Sequence, residues 1–354
     1  MQKLRISILA SLCTLPLLGI CAIAKCGVYP TQKGFIFLVR PVVQWNFMAG
    51  SGTLPSLPTE TRSSNGTYFN SSGIFSTAGN NTIRYDFPGG VGNGILLEPA
   101  ATNLALQSNA LTTTWTNTNL GSMVQNATGV DGTTSAWTMT DNSTNGPHEI
   151  SQSLGSSVTG RSIRVVAKAG TASYLSISPT GLSGNRITFN LSNGTIDSIG
   201  ANNGYSAATS YITNLGNGFY LCVAANNSIA GLYAVIAMST TGGNSGISGY
   251  VGSGSTMIIQ YVQAELNSYS TSYYPTTTST ATRSADVPAV PAQTNSGPSI
   301  LETMSESGLT LSRTAYAAGA FSWPTGVWAR SLAVYPNGTP MGYLNTRLAP
   351  GTPY

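Results

Sequence analysis

Gly94-Ile95-Leu96-Leu97-Glu98-Pro99-Ala100-Ala101-Thr102-Asn103-Leu104-Ala105-Leu106-Gln107-Ser108-Asn109 is the stretch on which the reading of this chain turns. Ile95-Leu96-Leu97 is an apolar run of the length a buried strand needs. Pro99 removes a ladder donor, so pairing stops there or runs along a sheet edge. Leu104 and Leu106 resume an in-out alternation, and Ser108-Asn109 closes the segment with turn-forming side chains. Before the stretch come glycine-rich turn signals such as Ser64-Asn65-Gly66, Ser71-Ser72-Gly73 and Pro88-Gly89-Gly90. After it comes a long series of short strands. The stretch therefore reads as the seam where an N-terminal lead-in joins a β-sandwich.

The downstream strand signals are clean. Ile163, Val165 and Ala167 alternate with Arg164, Val166 and Lys168. Ile187, Phe189 and Leu191 share one face, and Asn193-Gly194 marks a hairpin from which Ile196 returns. Leu232, Ala234, Ile236 and Met238 line another face. Met257, Ile259 and Tyr261 oppose Ile258, Gln260 and Val262, so both faces are largely apolar and this strand is expected to be central. No stretch sustains a helical period. The expected fold is all-β, a jelly-roll or β-sandwich with an extended N-terminal lead-in and a short C-terminal extension.

Charge sets further limits. Charged residues are 7% of the 354, against roughly 25% in an average soluble domain. At 41% hydrophobic the chain still has the means to build a core, so disorder is not indicated. Net charge is +4, and no basic cluster follows the N-terminus, so nucleic acid is not an expected partner.

Residues 1–24 read as a secretory signal peptide or N-terminal anchor. Lys3 and Arg5 precede an apolar run, and Ala22-Ile23-Ala24 fits the small-x-small cleavage rule. Left uncleaved, this segment is the chain's one expected membrane contact. Residues 25–93 form the lead-in, within which residues 33–47 read as a strand that could dock on a neighbouring subunit. The sandwich is expected over 94–290 and a linker and tail over 291–354, the tail being either a small β-unit or an assembly arm. Cys222 lies in a strand-like run where a small buried thiol is the ordinary reading, and pairing with Cys26 depends on the compartment.

Catalytic signals are thin. His148 is the single histidine, no GxSxG is present, and its place at a strand start favours a structural role. The acids Asp86, Glu98, Asp131, Asp141, Glu149, Asp197, Glu265 and Asp286 are scattered, and nothing in their spacing predicts the paired carboxylates of a glycosidase. Glu98 and Glu265 are read as strand terminators that accept backbone hydrogen bonds. No enzyme activity and no cofactor are expected.

Several segments, taken in order, resemble a module of tailed-phage and prophage structural proteins, of the tail-fibre or head-spike kind with a carbohydrate-binding-like jelly roll. They are Thr67-Tyr68-Phe69-Asn70-Ser71-Ser72-Gly73-Ile74, the opening stretch from Gly94 to Leu104, Asp131-Gly132-Thr133-Thr134-Ser135-Ala136 and Val166-Ala167-Lys168-Ala169-Gly170. Gly216-Asn217-Gly218-Phe219-Tyr220, Gln263-Ala264-Glu265-Leu266, Thr271-Ser272-Tyr273-Tyr274-Pro275-Thr276 and Thr282-Arg283-Ser284-Ala285-Asp286-Val287 follow. The resemblance implies a virion-surface or extracellular protein, a homo-oligomer in contact with other virion proteins, that touches a host-surface glycan. The signal-like N-terminus and the tail depart from the pattern, and they fit a secreted or surface-anchored bacterial carbohydrate-binding protein as the alternative.

Sugar binding uses exposed aromatic rings with a few polar groups. Trp115, Trp137, Tyr205, Tyr250 and Tyr269, each flanked by Ser, Thr, Asn or Gly, are the candidates. Jelly-roll glycan binders often hold a structural calcium, for which Asp131 and Asp141 are the loop candidates against a plain turn role.

Overall fold

A computed structural model describes residues 27–31, 34–38, 43–49, 60–158, 160–180, 185–200, 209–226, 231–289, 298–305 and 310–334. The expected signal peptide, Cys26, Tyr205, the linker at 291–297 and the tail beyond 334 lie outside the described residues.

The chain is an all-β sandwich with a third sheet attached. The first sheet runs Thr116–Thr118, His148–Val158, Gly231–Ser239, Tyr174–Ser178, Ile187–Asn190 and Thr195–Ile199. The second runs Leu120–Ala127, Ala136–Asp141, Thr256–Glu265, Arg161–Ala169, Phe219–Asn226 and Tyr211–Gly216. All pairings in both sheets are antiparallel. Alternation builds the core between them. Ile150, Leu175, Ile177, Phe189, Ile236 and Met238 from the first sheet meet Met139, Ile163, Val165, Cys222 and Ile259 from the second. A hairpin forms at Asn193-Gly194, its ladder closing at Asn190 and Thr195 around a four-residue loop that ends on Gly194 at φ +70°. The one described α-helix is a single turn, Ser245–Ser248, whose Ile247 covers Val235 and Ala237.

Thr256–Glu265 is central, between Ala136–Asp141 and Arg161–Ala169. Its alternation breaks once. Met257 and Ile259 face the core, and so do Val262 and Ala264, so the parity switches between them. The ladder shifts register opposite Arg164 and Val166, and Tyr261 takes φ +54°. This β-bulge turns the Tyr261 ring to the outer face, where it stacks on Tyr273 at 4.5 Å.

The opening stretch is a seam of another kind from the one expected. Gly94–Leu97 is a strand with all four residues buried, and pairing stops before Pro99. Its partners, however, are Tyr85–Asp86 and Val327–Val334 rather than strands of the sandwich. Val43–Asn46, Ser299–Ser305 and Leu311–Tyr316 complete this third sheet. The C-terminal extension is therefore a β-unit that shares its sheet with the lead-in. Val43–Asn46, the end of the segment expected to dock on a neighbouring subunit, docks on its own chain. Phe47, Ile95, Leu97, Leu301, Phe321 and Leu332 form the core of this unit.

Candidate functional site

Where the lead-in, the seam and residues 281–288 meet, the chain buries a network of ions. Arg62 pairs with Glu60 and with Asp286 at 2.9 Å. Arg84 pairs with Asp286 at 2.5 Å and Glu98 at 2.7 Å, and Arg283 lies 3.4 Å from Glu98 and 3.6 Å from Asp286. All six side chains are fully buried or nearly so. Their remaining valences are largely met by the backbone. Arg62 donates to the carbonyls of Ser64, Gly79 and Thr82, Arg84 to that of Thr67, and Arg283 to that of Pro99. Glu98 accepts from the Ser272 amide and hydroxyl, and Glu265 from those of Thr271, as expected of strand-terminating acids.

Beside the network is a cavity of ≈ 50 Å³ lined by Asp86, Glu98, Arg164, Tyr273 and Trp328 among others. Asp86 accepts hydrogen bonds from the Phe69 amide and the Trp328 indole. Two acids thus converge here, yet the space is far below the roughly 300 Å³ of a small-molecule site. Glu98 is also locked to two arginines. The arrangement is structural: it joins lead-in to sandwich.

The network binds protons unevenly. Counting Arg164 and Glu265 beside it, five acids (Glu60, Asp86, Glu98, Glu265, Asp286) face four arginines, so full ionisation leaves one buried charge uncompensated. Burial and the neighbouring Asp286 push the Glu60 carboxyl up to about 8, and its Oε2 has no hydrogen-bond partner among the described residues. Burial pushes Asp86 up to about 6 against its two donors. Burial acts on Glu98 in the same sense, but Arg283, Arg84 and Ser272 outweigh it and hold the carboxyl at about 2.

Stability should then be greatest at mildly acidic pH. Glu98 adds stability above its ordinary value of 4.5, which is lost as pH falls toward about 2. Glu60 and Asp86 act in the opposite sense: their contribution is full below 4.5 and 3.8 and is lost as pH rises through about 8 and about 6. Thermal melts across this range should show both limbs, and Glu60→Gln should flatten the upper one. An unchanged upper limb in that variant would assign it to another group.

Most of the residues expected to meet ligand do other work. Trp115 and Trp137 are not exposed rings: at 6% and 9% exposure they belong to the main core. Their indole N–H groups donate to Leu106 O at 3.2 Å and Asn109 O at 2.9 Å, pinning the turn that closes the opening stretch. Tyr250 is half-buried, with its ring 4.5 Å from His148 and its hydroxyl donating to Asp141 at 2.7 Å. His148 is buried at its strand start, its ring nitrogens facing the Asn119 and Tyr250 carbonyls at 2.7 and 3.2 Å.

The two aspartates do not fit calcium, which takes six to eight converging oxygen ligands. Asp141 Oδ1 accepts three backbone N–H bonds, from Ser253, Gly254 and Ser255. Asp131 accepts from the Thr133 amide and from the hydroxyls of Ser135 and Tyr261. Burial opposes ionisation at both sites, but these donors prevail and hold each carboxyl below its ordinary value. Among the described residues no group of three acidic, histidine or cysteine side chains is placed to hold a metal ion.

Tyr269 is the candidate that stays at the surface, 39% exposed. It ends a loop that begins with Leu266, 52% exposed, and Asn267. Leu266 and Asn267, with Ala100, Ala101, Thr102 and Thr282, line a groove of ≈ 220 Å³. Two alanines, a leucine, an amide and two threonine hydroxyls joined at 2.8 Å line the groove, and no charged side chain does. That chemistry suits an uncharged, hydroxyl-rich ligand.

The ion network escaped the sequence reading, although its signal was present. In a chain so poor in charge, Glu60-Thr61-Arg62, Ile83-Arg84-Tyr85-Asp86 and Arg283-Ser284-Ala285-Asp286 each place opposite charges on short extended segments. Comparison with protein-family models and with curated proteins finds no match for this chain.

Proposed function

We propose that this chain is a surface structural protein of a tailed-phage virion, fibre- or spike-like, whose jelly-roll-type sandwich meets a host-surface glycan without catalysing a reaction. One observation supports the reading above the others. The segments at 67–74, 94–104, 263–266, 271–276 and 282–287, whose order resembles that group, meet around one buried seam. Such a seam is a device for holding modules rigidly, which a fibre or spike requires. The neutral groove at Leu266 and Asn267, together with exposed Tyr269 two residues further along the same loop, is the surface assigned to the glycan.

Two experiments test the proposal. Binding of the full chain to a panel of neutral and acidic glycans should find a neutral ligand. Tyr269→Ala should weaken that ligand about tenfold or more, a loss of about 1.4 kcal/mol. Immunogold labelling of native material should place the protein on particles. A chain beginning at Lys25 and absent from particles would favour the secreted bacterial protein, and a panel with no bound glycan would end the glycan reading.

A further inference from the structure

Glu149 stands apart from the seam. It lies on His148–Val158, where His148, Ile150, Gln152 and Leu154 point into the sandwich and Glu149, Ser151 and Ser153 point out. The register sets Glu149 between Thr118 and Ala237, Ser151 between Thr116 and Val235, and Ser153 beside Tyr233. The outer face of the second sheet is covered at Val166, Phe219 and Tyr261, where Phe69, Phe75 and Tyr273 pack over them. The outer face of the first is roofed at Val235 and Ala237 by Ile247. Beside that roof Ser153 and Tyr233 are exposed, Tyr233 at 39%, and Glu149 and Ser151 are half-buried.

The Glu149 carboxylate accepts no hydrogen bond among the described residues. Neither flanking strand nor the one-turn helix carries a charged side chain, and Tyr233 is their one titratable group. Burial alone raises its carboxyl to about 7. A half-desolvated acid with no counter-charge is costly in the free protein, and a ligand that brings the missing charge and N–H donors relieves that cost.

We propose that Glu149 anchors a second glycan subsite, one that takes a hexosamine bearing a protonated primary amine. The amine donates to the carboxylate and the hydroxyls of Thr116 and Ser151 meet those of that sugar, while Ser153 and the Tyr233 ring, about 14 Å further along the strand, receive a following sugar of the same oligomer. This assignment rests on the glycan reading above. It adds a charge preference that the neutral groove at Leu266 lacks.

Calorimetry at neutral pH with the full chain decides it, using a fully deacetylated glucosamine tetramer and its N-acetylated counterpart as probes. The deacetylated probe should bind more tightly. Glu149→Gln, which keeps the shape of the side chain, should weaken it about tenfold or more while leaving the N-acetylated probe unchanged. Glu149→Asp should restore part of the loss, and circular dichroism should show both variants folded. Equal binding of the deacetylated probe by Glu149→Gln, or a wild-type preference for the N-acetylated probe, overturns the assignment. If neither probe binds while a neutral glycan still binds through Tyr269, this subsite falls and the broader reading stands. If no glycan binds at all, both fall.

Discussion

Asp286→Ala should lower stability by about 3–5 kcal/mol, the cost of removing one partner from a buried ion pair. Asp286 meets all three arginines of the network. Its Oδ1 lies 2.9 Å from Arg62, and its Oδ2 accepts from Arg84 at 2.5 Å and from the Glu98 amide at 2.7 Å. The variant takes a counter-charge from three fully buried guanidinium groups, Arg62, Arg84 and Arg283, and leaves one buried N–H without an acceptor. Asp286→Asn keeps an acceptor but loses the charge, so an intermediate loss is expected. Urea unfolding measures the size of the effect. Hydrogen exchange locates it, and protection should drop at 60–69, 84–98 and 281–288. A loss within about 0.5 kcal/mol, typical of a surface substitution, would show that the network does not hold the seam.

Gly94→Ala is the second large effect, and its cause is steric. Gly94 has φ +121°, and a Cβ there would stand 2.1 Å from Ala329 O and 2.8 Å from Ala329 C. Both atoms are backbone of the strand paired with Gly94–Leu97, so no side chain can swing aside. Strain in a glycine-favouring conformation and overpacking each cost about 1–3 kcal/mol, which together make about 2–6 kcal/mol. The damage should be local to the third sheet. Exchange protection should fall in Ser299–Ser305 and Val327–Val334 and persist in Thr256–Glu265, which belongs to the sandwich core. A variant whose third sheet stays protected would mean the strand pairing can shift to admit a methyl group.

These two residues sit where local reading stops. The opening stretch was legible as a strand ended by Pro99, because an apolar run and a missing donor are properties of neighbouring residues. Its partner was not legible. Val327–Val334 lies over two hundred residues away and matches it through backbone hydrogen bonds that any extended segment offers. The aromatic candidates failed for a related reason. The polar neighbours of Trp115 and Trp137 suggested exposure, yet Trp137 lies on the strand Ala136–Asp141, where successive side chains change face, and Trp115 directly precedes Thr116–Thr118. The rings went inward, and their N–H groups were satisfied by the turn at 106–109.

By itself the sequence determined that this protein is built from antiparallel strands, that Thr256–Glu265 lies in the middle of a sheet, and that Asn193-Gly194 closes a hairpin. Each of these follows from alternation or turn chemistry acting within about ten residues. Tertiary structure alone decided that the lead-in and the C-terminal strands share one sheet, that a bulge at Tyr261 reverses the faces of a strand, and that Arg62 meets Asp286 across 224 positions. Those outcomes depend on which strands pair and where a ladder slips. Pairing partners are chosen by burial and charge balance over the whole molecule, and no window of neighbouring residues records that choice.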